Sequence, residues 1–370
     1  MSKLKELIQK LCPNGVEYKT IKETVGLNRG KRLTKSELLE ESNTEFKYAV
    51  YHGSKDTPLG FYNNFNAPKG TTIVVNTGGI GGVKYIDKDF WCSDGSFWLG
   101  KTNDINGKYL YYCLSGYEDY FYSKKRIGGV PTIDKSVVEN FSIPVPPLEV
   151  QEEIVHILDN FTELTAELTA ELTAELTARK KQYEYYRNHL LTFVDDTAMM
   201  PIEEVCKGHY GKGNTIPKDG GEYPVYGCNG IVGMTSTYNS EDAPIVGHIG
   251  SAGLVTWGEG KHFVTYNGTI CEPIRDKING RYLYHQLINL HLEKYVKGNQ
   301  PFLSFSDFQK VKIAVPTLDV QSRIVSILDK FDILTTSISE GLPKEIELRR
   351  KQYEYYRNQL LSFPDNKATA

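Results

Sequence analysis

Few residues in this 370-residue chain are spaced for chemistry of their own. Gly78-Gly79-Ile80-Gly81-Gly82-Val83-Lys84 comes nearest to a phosphate-binding loop. Such a loop cradles phosphates on backbone N–H groups and needs a Ser or Thr after its lysine to hold a metal ion. Here Tyr85 follows Lys84, and the glycine spacing does not fit. Gly26 to Lys31 falls one residue short of the same pattern and runs into Arg32. There is no Gly-x-Ser-x-Gly elbow, no His-Glu-x-x-His pair and no kinase signature. An Asn-Pro-Pro-Tyr loop, which a base methyltransferase needs to hold a flipped adenine, is also missing. None of the six cysteines (12, 92, 113, 206, 228 and 271) forms a Cys-x-x-Cys pair, and no His spacing completes a zinc set. They read as reduced, mostly buried thiols. No catalytic residue, metal or cofactor is therefore expected.

The organisation of the chain is more informative, because it is written twice. IPVPPLEVQEEIVHILDNF (143–161) matches IAVPTLDVQSRIVSILDKF (313–331), and ARKKQYEYYRNHLLTF (178–193) matches LRRKQYEYYRNQLLSF (348–363). Both pairs share one offset, so the segments between them have equal length. Weaker matches precede each pair in the same order: YAVYHG with YPVYGC, TTIVVNTGGIGG with APIVGHIGSAGL, and NGKYLYYCL with NGRYLYHQL. The helical stretches are nearly copied, whereas the stretches before them have diverged.

Ile154, Ile157, Leu158, Phe161 and Leu164 recur at spacings of three and four, as do Ile324, Ile327, Leu328, Phe331, Leu334 and Ile338. Each set marks one apolar stripe on a helix of about 45 residues, roughly 65 Å long. A lone helix of that kind needs a partner, and the near-copy is the obvious one, in an antiparallel pair. The first helix contains three perfect TAEL units from Thr165 to Leu176. Four residues turn a helix by about 400°, so the leucine row drifts by about 40° per unit and makes a poor seam. The unit suits length better than packing. Each one adds about 6 Å of helix. The second helix lacks TAEL and carries Gly341 and Pro343, which predicts a kink or restart near Leu342-Pro343.

Residues 17–142 and 201–312 are rich in Gly, Tyr, Val and Ile, with short apolar runs broken by turn residues. They read as mainly β, with helices over 109–121 and 282–296. The expected fold is α+β: two mixed, mainly β domains alternating with two long helices that pair as an antiparallel coiled coil, in a pseudo-two-fold duplication. The expected boundaries are 1–143 and 195–315 for the domains, the first including a short N-terminal helix, and 144–194 and 316–370 for the helices. No apolar run is long enough to span a membrane, and the charged N-terminus has no signal-peptide core. A cytoplasmic protein is expected. The net charge is −3. Acid is concentrated on the first helix, where residues 149–194 hold 9 acidic against 4 basic side chains. The globular parts are near neutral, so a basic partner is needed to complete any grip on DNA.

The paired VPPLEVQEEIVHILDNF/VPTLDVQSRIVSILDKF and RKKQYEYYRNHLLTF/RRKQYEYYRNQLLSF segments, together with the TAEL units, resemble the specificity subunit of type I restriction–modification enzymes, in its TAEL-repeat subgroup. The resemblance covers essentially the whole chain. It implies a non-catalytic subunit with two target-recognition domains, each reading one half of a split double-stranded DNA site. It also implies helices that set the gap and dock two methyltransferase subunits, with motor–nuclease subunits joining the complex. The adenine methylation and ATP-dependent cleavage belong to those partners. The duplicated helix pair alone also fits a coiled-coil scaffold whose heads bind protein or carbohydrate.

Matching the halves yields three sets of candidate DNA-binding residues. The first is Arg29, Lys31 and Arg32, with Tyr210 and Lys212. The second is Asn76, Thr77 and Gly79, with His248 and Ser251; it resembles a glycine loop of family recognition domains. The third is Lys124, Lys125 and Arg126, with Lys297, Asn299 and Gln300. Ile154, Leu158, Phe161, Tyr183, Tyr186 and Leu190, with Ile324, Leu328, Phe331, Tyr353, Tyr356 and Leu360, are the candidates for the helix seam and methyltransferase docking.

Overall fold

A computed structural model describes residues 3–193, 197–213, 215–217, 219–336 and 341–366. The chain divides into two compact units, residues 1–170 with 347–370, and residues 171–346. Among the described residues, each buried apolar cluster draws on one unit alone.

In the first unit, an antiparallel sheet is ordered Leu27–Arg29, Ser96–Leu99, Thr71–Val75, Val83–Ile86. Its central strand, TTIVV, is buried throughout, which suits a β-branched run covered on both faces. Gly60–Tyr62, Tyr48–Tyr51 and Trp91–Cys92 form a three-stranded sheet whose last strand is parallel to its neighbour. A two-stranded ribbon, Glu17–Thr20 with Ser142–Val145, leads into the long helix.

The second unit repeats the plan with one change. Its sheet is ordered Cys206–Tyr210, Gly268–Pro273, Ser240–Gly247, Val255–Val264, Tyr223–Gly227, Gly230–Thr235. Val255–Val264 runs unbroken for ten residues, pairing first with Ser240–Gly247 and then, in parallel, with Tyr223–Gly227. The first unit has Asp87-Lys88-Asp89 at that point, and one strand becomes two. Met199–Pro201 with Lys312–Ala314 is the second ribbon.

The expected helices are shorter than their sequence patterns. YLYYCLSGYEDYF is divided between Gly107–Ser115 and Glu118–Ser123, with the break at Gly116-Tyr117. YLYHQLINLHLEKYV ends as a helix at Asn289, and a 3-10 turn follows His291, whose backbone is left-handed. The first long helix is continuous over Leu148–Leu191, 44 residues. The second stretch is helical over Leu318–Thr336 and again over Leu342–Leu360. Pro343 lies in the first turn of the latter, where its missing N–H is no loss, and Lys344 and Glu345 donate backbone N–H groups to the Gly341 carbonyl. Residues 337–340, which the expected break also touches, lie outside the described residues.

A buried glutamine joins helix to domain in each unit. Gln151 Oε1 accepts from the Asn106 N–H at 2.9 Å, and its Nε2 donates to the Asp104 and Pro146 carbonyls at 2.9 and 2.8 Å. Gln321 does the same with Asn279 N–H, Lys277 O and Pro316 O, at 2.8, 3.1 and 2.8 Å. Asn106 and Asn279 in turn cap the domain helices. Tyr109 and Tyr282 hydroxyls donate to the ribbon carbonyls of Pro144 and Ala314, both at 3.0 Å.

Candidate nucleic-acid interface

The loops singled out by sequence matching occupy equivalent places in the two units, because the same backbone contacts hold them. Asn66 brackets Cys92 through both amide atoms, and Asn239 brackets Val264 likewise. The Lys31 N–H donates to the Cys92 carbonyl and the Lys212 N–H to the Val264 carbonyl, both at 2.9 Å. Glycine precedes each lysine for a steric reason. A Cβ on Gly30 would lie 2.0 Å from the Ser93 carbonyl oxygen, and one on Gly211 2.1 Å from that of Thr265. Arg29, Lys31, Arg32, Tyr210 and Lys212 are all exposed.

The glycine loops also coincide. Gly81 and Gly253 both have φ +85° and donate to the carbonyls of Val75 and Gly247. That backbone region is open to glycine and costly for other residues. The N–H groups of Asn76 and His248 donate to the Gly95 and Asn267 carbonyls, and their own carbonyls accept from Ile133 and Leu303. Thr77 is half-buried and Gly79 exposed; Ser251 is half-buried.

Asn76 and His248 are placed differently from what base contact requires. They are 3% and 1% exposed. His248 Nδ1 lies 2.7 Å from the Leu303 carbonyl oxygen, and its ring is surrounded by Tyr210, Tyr266 and Phe302 at centroid distances of 4.3, 5.6 and 4.5 Å. Asn76 Oδ1 is buried with no hydrogen-bond partner among the described residues. The His248 ring thus supports its loop from beneath, and the Asn76 side chain is buried.

The third set forms a hairpin in each unit. Arg126 bridges Thr132, and Thr132 bridges Thr77 of the glycine loop. Lys297 bridges Phe302, and Phe302 bridges Ile249. Arg126 pairs with Asp134, and Lys297 with Asp307 at 2.5 Å. The lysine holds the Asp307 carboxyl down at about 2, with help from Ser304. Lys124, Asn299 and Gln300 are exposed, and the Lys125 ammonium lies 3.5 Å over the Tyr122 ring.

With the frames superposed in this way, corresponding positions carry unlike side chains: Arg29 and Tyr210, Asn76 and His248, Asp94 and Tyr266, Thr132 and Phe302. Sequence matching missed the last two pairs. The Asp94-Gly95 and Asn267-Gly268 dipeptides look equivalent, yet the backbone bonds match Gly95 to Asn267. Reading the turn by its glycine shifts the register by one.

The helix residues separate into two groups. Ile154 and Leu158 are wholly buried in the core of the first unit, and Ile324 and Leu328 are buried in that of the second. Those cores combine domain side chains with residues of the other helical stretch, Phe363 in the first unit and Tyr183 in the second, and the four residues are too buried to offer a docking surface. Ring contacts come from the others. In the first unit Phe161 meets Tyr356 at 5.7 Å, and Thr162 Oγ1 lies 3.1 Å from the Tyr353 hydroxyl. In the second, Tyr183 and Tyr186 stack on Phe331 at 6.4 and 5.4 Å. Leu190 and Leu360 border the cores of the second and first units.

The type I restriction modification DNA specificity domain model matches residues 13–178 and 195–348. This chain belongs to the type I restriction–modification specificity-subunit family. A putative type I restriction enzyme specificity subunit of Haemophilus influenzae is 31% identical, over 94% of this chain and 96% of its own. A type I restriction enzyme specificity subunit of Escherichia coli is 33% identical, over 87% and 84%. A solved type I system S subunit from M. genitalium shares the fold, with a TM-score of 0.55 at 21% identity, over 95% and 97% of the two chains. The doubled match falls on the two halves that the structure repeats. No described helix is long and apolar enough to cross a membrane. Among the described residues, no cluster of His, Cys, Asp and Glu is placed to hold a metal ion.

Proposed function

We propose that this chain is the non-catalytic, cytoplasmic DNA-recognition and assembly subunit of a type I restriction–modification complex. Its domains, residues 1–143 and 195–315, each read one half of a split, asymmetric double-stranded target. Its helices, 144–194 and 316–370, pair antiparallel as a coiled coil, set the gap and dock two methyltransferase subunits. Motor–nuclease subunits join through that complex. Adenine methylation and ATP-dependent cleavage lie with the partners, and the chain needs no cofactor.

The observation that carries this reading is the pair of matched frames with unlike loop side chains. One backbone solution is kept twice, and at its surface Lys31 and Lys212 match while Arg29 and Tyr210, Asp94 and Tyr266, and Thr132 and Phe302 differ, which is what two readers of different sequences on a common phosphate backbone require. The helix contacts support the pairing. Phe161 with Tyr356 and Phe331 with Tyr186 are the same contact under the 170-residue repeat, with the roles of the helices exchanged. That reciprocity is expected of a two-fold arrangement, and near-copied helices give two identical partners two equal surfaces. Exposed Lys31, Arg32, Lys124, Lys212 and Lys297 would contribute phosphate contacts.

The test is DNA binding by the complex of this chain with the methyltransferase encoded beside it, measured against salt. Affinity for a cognate fragment should fall by orders of magnitude between about 50 and 200 mM salt, as for a phosphate-driven complex. Salt-independent binding, or no preference among sequences, would remove the recognition role.

A further inference from the structure

Ile127 and Val130 are 91% and 74% exposed, the highest values for large apolar side chains among the described residues. Single exposed aliphatics are ordinary. These two stand together at the tip of a hairpin that is held firmly at its base. Below them, the Arg126 N–H donates to the Thr132 carbonyl at 2.9 Å. Thr132 bridges Thr77, and the Ile133 N–H donates to the Asn76 carbonyl at 3.1 Å. The hairpin thus hangs from the glycine loop. Gly128 and Gly129, at φ +131° and +88°, shape the tip in open space, with no atom within 4 Å of a Cβ at either. Lys124, Lys125 and Arg126 stand at its foot. An apolar tip on a cationic base suits a polyanion that presents apolar groups inside a groove.

The second unit builds the same hairpin with other chemistry. Lys297 bridges Phe302, Phe302 bridges Ile249, and the Leu303 N–H donates to the His248 carbonyl at 3.0 Å. Its exposed tip carries Asn299 and Gln300. In the major groove, amide side chains pair with the adenine edge, whereas aliphatic ones touch the thymine methyl.

We propose that the hairpin 126–132 is a base-reading finger of the first unit, with Ile127 and Val130 seated against a thymine methyl in the major groove. The equivalent hairpin of the second unit reads its half-site through Asn299 and Gln300. This inference rests on the DNA-recognition reading above.

The test uses the whole chain in complex with its methyltransferase. Methylated motifs are mapped for the native protein, for Ile127→Ala with Val130→Ala, and for Asn299→Ala with Gln300→Ala. The first pair should make one A·T position of one half-site degenerate. The second pair should alter only the opposite half, and the gap should stay constant in both. Binding is then measured on a target with uracil replacing the affected thymine. The native complex should lose about fourfold, one buried methyl's worth, and the alanine pair should lose nothing further. An unchanged motif overturns the proposal, as does a uniform loss of methylation at all sites or both variants acting on the same half. If the native complex shows no split motif, the DNA-recognition reading itself fails and this inference falls with it. Unchanged urea midpoints confirm that the exposed substitutions leave the fold intact.

Discussion

Replacing Gln151 by leucine should destabilise the first unit and spare the second. Gln151 is fully buried. The substitution keeps its bulk but strands three backbone groups: the Asn106 N–H and the Asp104 and Pro146 carbonyls. Each lost bond is worth about 1 kcal/mol net, and groups left buried without partners raise the total to about 3–5 kcal/mol. Trp91 and Trp98 report on the first unit and Trp257 on the second, so urea unfolding followed by fluorescence in Trp257→Phe and Trp91→Phe/Trp98→Phe backgrounds separates them. With a slope of about 2–3 kcal/mol per molar urea, the first midpoint should fall by about 1–2 M. Gln321→Leu should do the same to the second unit. Exposed Glu152→Ala should change neither by more than about 0.5 kcal/mol. The clamp account is wrong if Gln151→Leu lowers the first midpoint by less than about 0.3 M, or lowers both midpoints equally.

Acid should weaken the second unit in two stages. Burial pushes His285 and His262 below the ordinary histidine value. Burial raises Asp329, but hydrogen bonds from His285 and Arg281 outweigh it and leave its pKa lowered. A folded pKa below the unfolded one gives stability that is complete above the unfolded value and lost as pH falls through the folded one. The Trp257 midpoint should therefore begin to fall below about pH 6.5 and fall again below about pH 4; a flat midpoint from pH 7.5 to 5 would contradict this. In the first unit, Gly81→Ala should cost about 2–4 kcal/mol by urea unfolding followed at Trp91 and Trp98, since it adds left-handed strain to a Cβ 2.6 Å from the Glu118 carbonyl oxygen. Gly128→Ala, with open space around it, should cost no more than about 1–2 kcal/mol.

The duplication was legible because the repeated segments keep one offset and the helices keep their apolar spacing. The glycine loops and the third pair of loop segments, 124–129 and 297–300, were legible by the same matching, though not their hairpin form. Other features depend on contacts that no local pattern names. The stripe containing Ile154, Leu158, Ile324 and Leu328 reads as a seam facing the other helix, but these residues join cores made mostly of domain side chains, to which the other helical stretch adds Phe363 in the first unit and Tyr183 in the second. Asn76 and His248 are polar residues in loops, which reads as exposure; three aromatic rings surround the buried His248, and Asn76 is buried as well. The Tyr266 and Asp94 equivalence was hidden by a one-residue slip between two turn dipeptides. The broken strand at Asp87-Lys88-Asp89 was invisible because its two pieces join different sheets.

The most direct measurement is a genome-wide map of methylated adenines in cells co-expressing this chain with its methyltransferase, repeated after deleting one TAEL unit. The native chain should give a split motif with a fixed gap. The deletion removes about 6 Å of helix and should shorten the gap by no more than about 2 base pairs while both half-sites stay the same. An uninterrupted motif, a gap indifferent to the deletion, or half-sites that change with it would contradict two readers held apart by a helix.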